Sequence, residues 1–423
     1  MTARTLHKYY KWELLGLLCC AFFLHQADRA IFGVVLSSIK ADLQLTNSQV
    51  GLLGTALFVA MALMMPLAGY VGDVFNRKWI VTCSLMFWSA ATFCTGLTNG
   101  VIGLLLLRSI ATAWGESFYA PAAYPLLAAF HKATRTIAMS IHQTSLYVAL
   151  MVSGVLAGYI ADNWGWRAAF FLYGGCGILL GVVFVFRLRS APAEGGQDGT
   201  GQTQRVSPRV AFGILLRTPT ALLITVSYTA VVLVYNGSVV WAPTFLREKY
   251  DLSMAQAGGL AMFCQYVTSM VGVLLGGMIS DRMVGSRPRF RLQLQSAFMF
   301  LCAPAILVMG LAPSLTLTCC GIAALGLFQG IYQSNTPASL FDVIEPRYRS
   351  SALGVEIMLA YLIGSVSPWA LGRFRDAFGD VPGLAYGFAA YAVVYVLGGL
   401  AVLAAFLFTF HRDRYVEAGQ ITP

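Results

Sequence analysis

The sequence predicts an all-α membrane protein with twelve transmembrane helices in two pseudo-symmetric six-helix bundles. Three observations predict it: the composition, a succession of apolar segments of span length, and motifs that recur from the first half to the second. Of 423 residues, 58% are hydrophobic and only 11% are charged, whereas a soluble domain carries about 25% charged residues. So few charges cannot cover a water-soluble particle of this size, so lipid is the expected solvent. The net charge of +10 comes from short basic clusters between apolar runs. That is the pattern of membrane topology, and it argues against nucleic-acid binding.

A span needs about 20 mostly apolar residues. Along the chain, such segments fall near 13–38, 48–72, 79–98, 101–128, 136–160 and 168–187, then near 210–238, 257–280, 292–311, 315–340, 351–372 and 384–409. Arg4, Lys8 and Lys11 precede the first apolar stretch, as in a signal peptide. The stretch runs past Asp28 and Arg29 to about Ile39 without a cleavage site, so it reads as the first span. Residues 190–209 are rich in Gly, Gln, Ser and Pro and have no apolar period. They form the expected cytoplasmic linker between an N-terminal bundle over 1–189 and a C-terminal bundle over 210–423.

Orientation follows from the basic residues. With the N-terminus inside, twenty of the 28 Lys and Arg lie on inner segments, six lie in outer loops, and Arg29 and Arg108 lie inside spans. This split places both termini in the cytoplasm of a multi-pass protein of the cytoplasmic membrane. All nine cysteines lie in or beside apolar runs, and none has metal-ligand spacing with histidine. No metal and no cofactor is expected.

The halves repeat one another. Gly69-x-x-x-Asp73 recurs as Gly277-x-x-x-Asp281 at an offset of 208; Arg135-x-x-Ala138 recurs as Arg349-x-x-Ala352, and Gly158-x-x-x-Asp162 as Gly372-x-x-x-Asp376, both at an offset of 214. Three matches in order at nearly constant offset argue for duplication, the plan by which many secondary transporters build one site between related halves.

At the 2–3 loop, Gly69-Tyr-Val-Gly72-Asp73-Val-Phe-Asn-Arg77-Lys78 resembles the signature of the major facilitator superfamily, Gly-x-x-x-Asp followed by a basic pair. The copy at Gly277, Asp281 and Arg282 has no close counterpart of the Arg77–Lys78 pair. Ala27-Asp28-Arg29, Gly115-Glu116 with Pro121, and Gly165-Trp166-Arg167 are similar to the anion:cation symporter and spinster-like branches. The first branch implies sugar acids and other organic anions as cargo, the second lysolipids and related amphiphiles. Arg108 and Glu116 are eight residues apart where those branches imply about seven, which sets Arg108 one position out of step. The resemblance also implies that spans 1, 4, 7 and 10 line the cavity, and that Asp73, Arg77 and Lys78 serve a cytoplasmic charge latch.

Few ionisable residues lie well inside spans: His25, Asp28, Arg29, Arg108, Glu116 and His142, with Glu356 nearer an end. A charge at bilayer centre costs at least about 2.5–3.5 kcal/mol, so it normally faces a partner or a wet cavity. At 1.5 Å of rise per residue, Asp28, Arg29 and Arg108 share a depth, with Glu116 about 12 Å nearer the cytoplasm. Asp28 and Glu116 are the candidate proton acceptors. Arg29 and Arg108 are candidate anion-binding groups, and His25, one turn before Asp28, tunes the site or packs neutrally. His142 and Glu356 occupy equivalent repeat positions, seven residues after Arg135 and Arg349, and are candidates for the inner gate.

In the second half the candidate substrate-binding groups are uncharged: Tyr235, Asn236, Gln329, Tyr332, Gln333 and Asn335, with Gln265 and Tyr266 nearby. Amides and phenols suit hydroxyl groups on a substrate; they also hold membrane helices together. Charges in one half and neutral hydrogen-bonding groups in the other fit a sugar-acid-like anion, carried by a proton-coupled symporter that works as a monomer by alternating access. A spinster-like amphiphile transporter is the alternative, and a transporter-like solute sensor is another. No Gly-x-x-x-x-Gly-Lys-Ser/Thr loop supports an ATP-driven pump. No metal motif or activated nucleophile supports an enzyme.

Overall fold

The chain breaks into helices where its capping residues, glycines and prolines dictate. The computed structural model describes residues 3–131, 134–190, 208–284, 287 and 289–415, and among these the chain is helical with no strand. The first six long helices are α1 (Ala3–Asp42), α2 (Asn47–Val74), α3 (Arg77–Thr95), α4 (Val101–Phe130), α5 (Arg135–Trp164) and α6 (Trp166–Arg187). The second set is α7 (Pro219–Tyr250), α8 (Met254–Val284), α9 (Phe290–Leu311), α10 (Leu315–Phe341), α11 (Arg349–Gly364, continuing as Val366–Phe378) and α12 (Asp380–Asp413).

Among the described residues, eleven of these helices are long and apolar enough to cross a membrane. The exception is α3. Its 19 residues reach about 28 Å at helical rise, but it opens on Arg77 and Lys78 and carries several hydroxyl residues.

The local chemistry of each start and stop is visible. Thr46 and Gln49 form a reciprocal capping box at the head of α2. Asn76 caps α3 by accepting from the Lys78 amide at 3.0 Å. Two single-residue turns, Gly165 between α5 and α6 and Gly379 between α11 and α12, hold φ at 82° and 90°, where a side chain is strained. They stand 214 residues apart and so extend the repeat found in the sequence.

The expected seventh span, 210–238, needs correction at both ends. A separate short helix covers Pro208–Arg217, and α7 begins only at Pro219, running on to Tyr250. Pro219 has no amide hydrogen and disfavours helical geometry at Thr218, so the helix cannot continue through it. The linker residues 191–207 lie outside the described residues.

Packing separates the chain into two compact units. The first comprises Met1–Gly195, Asn236–Phe263 and Ser365–Leu384; the second comprises Gly196–Tyr235, Cys264–Gly364 and Ala385–Pro423. Within the first, α1 packs on α5, α3 on α4 and α6, and α2 on α4 and the second segment of α11. Its core is built on Leu14, Leu18, Leu85, Trp88, Tyr119 and Leu126. Within the second, α9 packs on α10, and the short helix packs on the first segment of α11.

The repeated Gly-x-x-x-Asp of α5 and α11 has a structural purpose in the first unit. A Cβ on Gly158 would lie 2.4 Å from the Ala255 amide nitrogen, and one on Gly372 would lie 2.5 Å from the Asn47 carbonyl oxygen. Only glycine permits such an approach. One turn on, Asp162 accepts from the amides of Met254 and Ala255 at 3.1 and 3.0 Å, at the start of α8. Asp376 accepts from the Ser48 amide at 3.2 Å, and from its hydroxyl, at the start of α2. Each motif brings a helix start close and then satisfies its free amides with a carboxylate.

Candidate functional site

In the first unit, five ionisable side chains from two helices converge. His25, Asp28 and Arg29 sit within about one turn of α1, and Arg108 and Glu116 sit on α4. Arg29 Nε donates to Glu116 Oε2 at 3.0 Å. Arg108 Nη1 donates to Asp28 Oδ2 at 3.2 Å, and its Nη2 to the Asp28 carbonyl at 2.9 Å. Four charges are thus held as two ion pairs, and all four residues are buried. Asp28 also lies beside Glu116, so the pairs stand side by side.

Arg108 lies in a locally widened stretch of α4. Leu105–Ala111 is a π-helical segment, in which the Thr112 amide reaches back five residues to Leu107, and the Thr112 hydroxyl bonds the same carbonyl at 2.9 Å. A π turn absorbs one extra residue. The eight-residue spacing from Arg108, paired with Asp28, to Glu116, paired with Arg29, therefore corresponds to about seven residues of regular helix. Arg108 also lies over the Phe32 ring, 5.2 Å from its centroid, a favourable seat for a guanidinium.

His25 is fixed by its surroundings. Its Nε2 lies 3.2 Å from the Glu116 carbonyl, and its Nδ1 lies 3.1 Å from Gln26 Nε2. Trp88 and Tyr119 pack against the ring at centroid distances of 5.6 Å. The Glu116 carbonyl at Nε2 and the Gln26 side-chain amide at Nδ1 hold the ring from both sides. Asp28 Oδ1 and Glu116 Oε1 are buried without a hydrogen-bond donor among the described residues. Each carboxyl therefore has one oxygen engaged by an arginine and one able to take a proton.

The second-half candidates divide. Gln329 accepts from Gln265 at 2.7 Å and donates to the Tyr395 hydroxyl, so its amide is occupied by its own neighbours. Tyr332 donates to Ser227 at 2.9 Å, and Asn335 donates to the Ser334 hydroxyl at 3.0 Å. Tyr235 and Gln333 are half-buried. Asn236 is fully buried, with neither its oxygen nor its nitrogen partnered among the described residues.

At the 2–3 connection, Gly72 faces Pro121, its would-be Cβ 3.2 Å away, while Gly69 has open space. Lys78 Nζ donates to the Val185 carbonyl at 3.1 Å, and Arg77 is half-buried. The Asp73 side chain lies outside the described residues. Gly277 also faces open space, and Asp281 and Arg282 are exposed near the end of α8.

Arg375 is one of the six basic residues that the sequence assigns to outer loops. The structure buries it fully beneath Trp241, 5.0 Å from the ring centroid. Arg375 Nη2 donates to Glu248 at 2.8 Å and Nε to Asp380 at 3.2 Å; Lys40 bonds Asp380 as well, at 3.2 Å. This ties the ends of α1, α7, α11 and α12 in the first unit. The Arg-x-x-x-x-Asp spacing across Gly379 was the available signal.

The profile of the Major Facilitator Superfamily matches residues 18–368. The chain is 27% identical to protein spinster homolog 1 of Xenopus tropicalis over 438 residues, covering 92% of this chain and 79% of the relative. It is 25% identical to an MFS-type efflux pump of Mycolicibacterium smegmatis over 379 residues, covering 87% of this chain and 85% of that one. Its fold matches the crystal structure of a bacterial homolog of the human lysosomal transporter Spinster, in an inward-facing and unoccupied conformation. That match has a TM-score of 0.83 at 23% identity and covers 97% of this chain and 99% of the other. With apolar helices of span length and a profile match over most of its length, the chain belongs to the Major Facilitator Superfamily and is a multi-pass membrane transporter, not an enzyme.

Proposed function

We propose that this chain is a proton-coupled secondary transporter of anionic amphiphiles of the lysolipid class. In this reading twelve helices span the cytoplasmic membrane as two six-helix bundles, 1–189 and 210–423. The linker 190–209 and both termini are cytoplasmic, and the protein acts as a monomer by alternating access.

The observation that carries the reading is the doubled ion pair of α1 and α4. An anionic headgroup that engages Arg29 takes it from Glu116. The carboxylate left behind is buried without a counter-charge, a state that protonation relieves. Cargo and proton are then taken up together, and the reverse exchange releases both. Arg108 holds Asp28 in the same way, so that a second proton follows if the cargo disturbs that pair as well.

The amphiphilic cargo is supported by a cavity of about 650 Å³ between α1, α5 and α6. Cys19, Cys20, Phe23 and Leu24 line one side and Ile141 and Val148 another, an open apolar groove along which an acyl chain could lie. The spinster-like resemblance of the sequence implies the same class of cargo. A small organic anion is the second reading, favoured by buried Asn236 with both amide atoms free to meet a hydroxylated body.

Thermal unfolding in nanodiscs with lysophosphatidylglycerol or gluconate separates the two. A ligand at 100 times its Kd adds about 2.7 kcal/mol of stability, enough to move the midpoint. The proposal expects stabilisation by the lysolipid in the wild type, its loss in Arg29→Ala, and no effect of gluconate. Stabilisation by gluconate alone would transfer the reading to small anions.

A further inference from the structure

The two positions seven residues past Arg135 and Arg349 hold His142 on α5 and Glu356 on α11, and neither is used by the site above. Each is buried, at 1% and 0% exposure. Their surroundings repeat. His142 stacks on Phe22 of α1, centroids 4.4 Å apart, and its Nε2 meets the Tyr119 hydroxyl of α4 at 3.0 Å. In the second unit Tyr228 of α7 and Tyr332 of α10 lie within electrostatic reach of Glu356. Tyr119 bonds the Leu18 carbonyl of α1 at 2.7 Å, and Tyr332 bonds Ser227 of α7 at 2.9 Å. Duplication has therefore built one nest twice: an aromatic ring from the first helix, a tyrosine from the fourth, and a titratable side chain from the fifth.

The second copy is the more demanding. Among the described residues neither Glu356 Oε1 nor Oε2 has a hydrogen-bond donor. Among the described residues, the titratable groups within electrostatic reach of it are phenols, Tyr228 and Tyr332, with Tyr361 of α11 and Tyr235 of α7 around Tyr228. The short helix Pro208–Arg217 offers Leu215, packed on Val355 and Leu359. Among the described residues, no lysine, arginine or histidine forms an ion pair with Glu356. A carboxylate in such a place lacks both solvation and a counter-charge, and a buried group in that position neutralises instead of remaining ionised.

We propose that Glu356 is a second proton-binding site, separate from the Asp28–Glu116 cluster, and that it holds its proton in the conformation described here. The bond formed is the O–H of a carboxylic acid, with the proton drawn from water and returned to it when movement of α11 wets the group. The inference rests on no assumption about the cargo or about coupling at Asp28 and Glu116.

Infrared spectroscopy of the purified full-length protein, with its glutamate carboxyls isotope-labelled, tests this near neutral pH. The expected result is a labelled neutral-acid carbonyl band in the wild type that is lost in Glu356→Gln and retained in Glu116→Gln. Loss of carboxylate absorption in Glu356→Gln, with the neutral-acid band unchanged, would overturn the proposal. Should Glu356→Gln not fold, Glu116→Gln alone decides: a persisting labelled band supports the site, and its absence overturns it. Failure here leaves the Asp28–Glu116 reading standing, because that reading is tested by flux.

Discussion

On α1 and α4, four charges are buried as two ion pairs, each carboxyl left with one open oxygen. On α10, at the corresponding place in the repeat, Gln329 is bonded between Gln265 and Tyr395, and Tyr332 is bonded to Ser227. The two regions descend from one plan and differ in what happens when a partner leaves. Neutral groups that lose a bond remain neutral. A carboxylate that loses its arginine must find a proton. Responsiveness to charge and pH is therefore expected at the α1–α4 cluster, while the bonded amides and phenols of α10 are expected to be comparatively inert.

The comparison can be broken most forcefully at Arg108. Arg108→Ala leaves Asp28 buried without its counter-charge, and removal of one partner from a buried pair costs about 3–5 kcal/mol. Thermal unfolding should show a large drop in midpoint, and adding Asp28→Asn should recover much of it. In the second half, Gln329→Leu strands the Gln265 amide and the Tyr395 hydroxyl; hydrogen bonds between membrane helices are worth about 1–2 kcal/mol at most, so the midpoint should fall less. An equal loss at the two sites would remove the distinction.

Smaller effects sharpen the picture. Asp162→Ala and Asp376→Ala each remove a carboxylate from a helix start, a loss of about 1 kcal/mol apiece. Because the two clamps are repeats of one motif, their midpoint shifts should match. The smallest effect is expected for deletion of Ile110 within the π turn. It converts Leu105–Ala111 to a regular helix with Arg108 still facing Asp28, so the unfolding midpoint should stay near that of the wild type. A single-residue deletion in the regular helix of α10, by contrast, should rotate its far end out of register and unfold the protein.

Much of this was legible in the sequence, because membrane burial imposes blunt rules. Apolar runs of span length and rare intramembrane charges single out Asp28, Arg29, Arg108 and Glu116 without any geometry. The pairing was less legible. Helical rise places Glu116 about 12 Å below Arg29, yet Arg29 reaches it, because a long side chain spans part of that distance. The surplus residue before Glu116 reads as a register error until the π turn is seen to absorb it. Gly158-x-x-x-Asp162 was visible as a repeat but not as a clamp, since its partners at Ala255 and Met254 lie more than 90 residues on. The burial of Arg375 was hidden for the same reason. Its partner Glu248 is 127 residues away, and the only local hint is the five-residue step across Gly379 to Asp380.

The central claim is that Asp28 and Glu116 couple proton movement to cargo through their arginines. Flux of labelled lysophosphatidylglycerol in proteoliposomes, with and without an imposed pH gradient, tests it most directly. The account predicts that one orientation of the gradient accelerates wild-type flux, while Asp28→Asn or Glu116→Gln retains exchange of cargo for cargo and no longer responds to the gradient. A wild-type response to the gradient in both variants would contradict it.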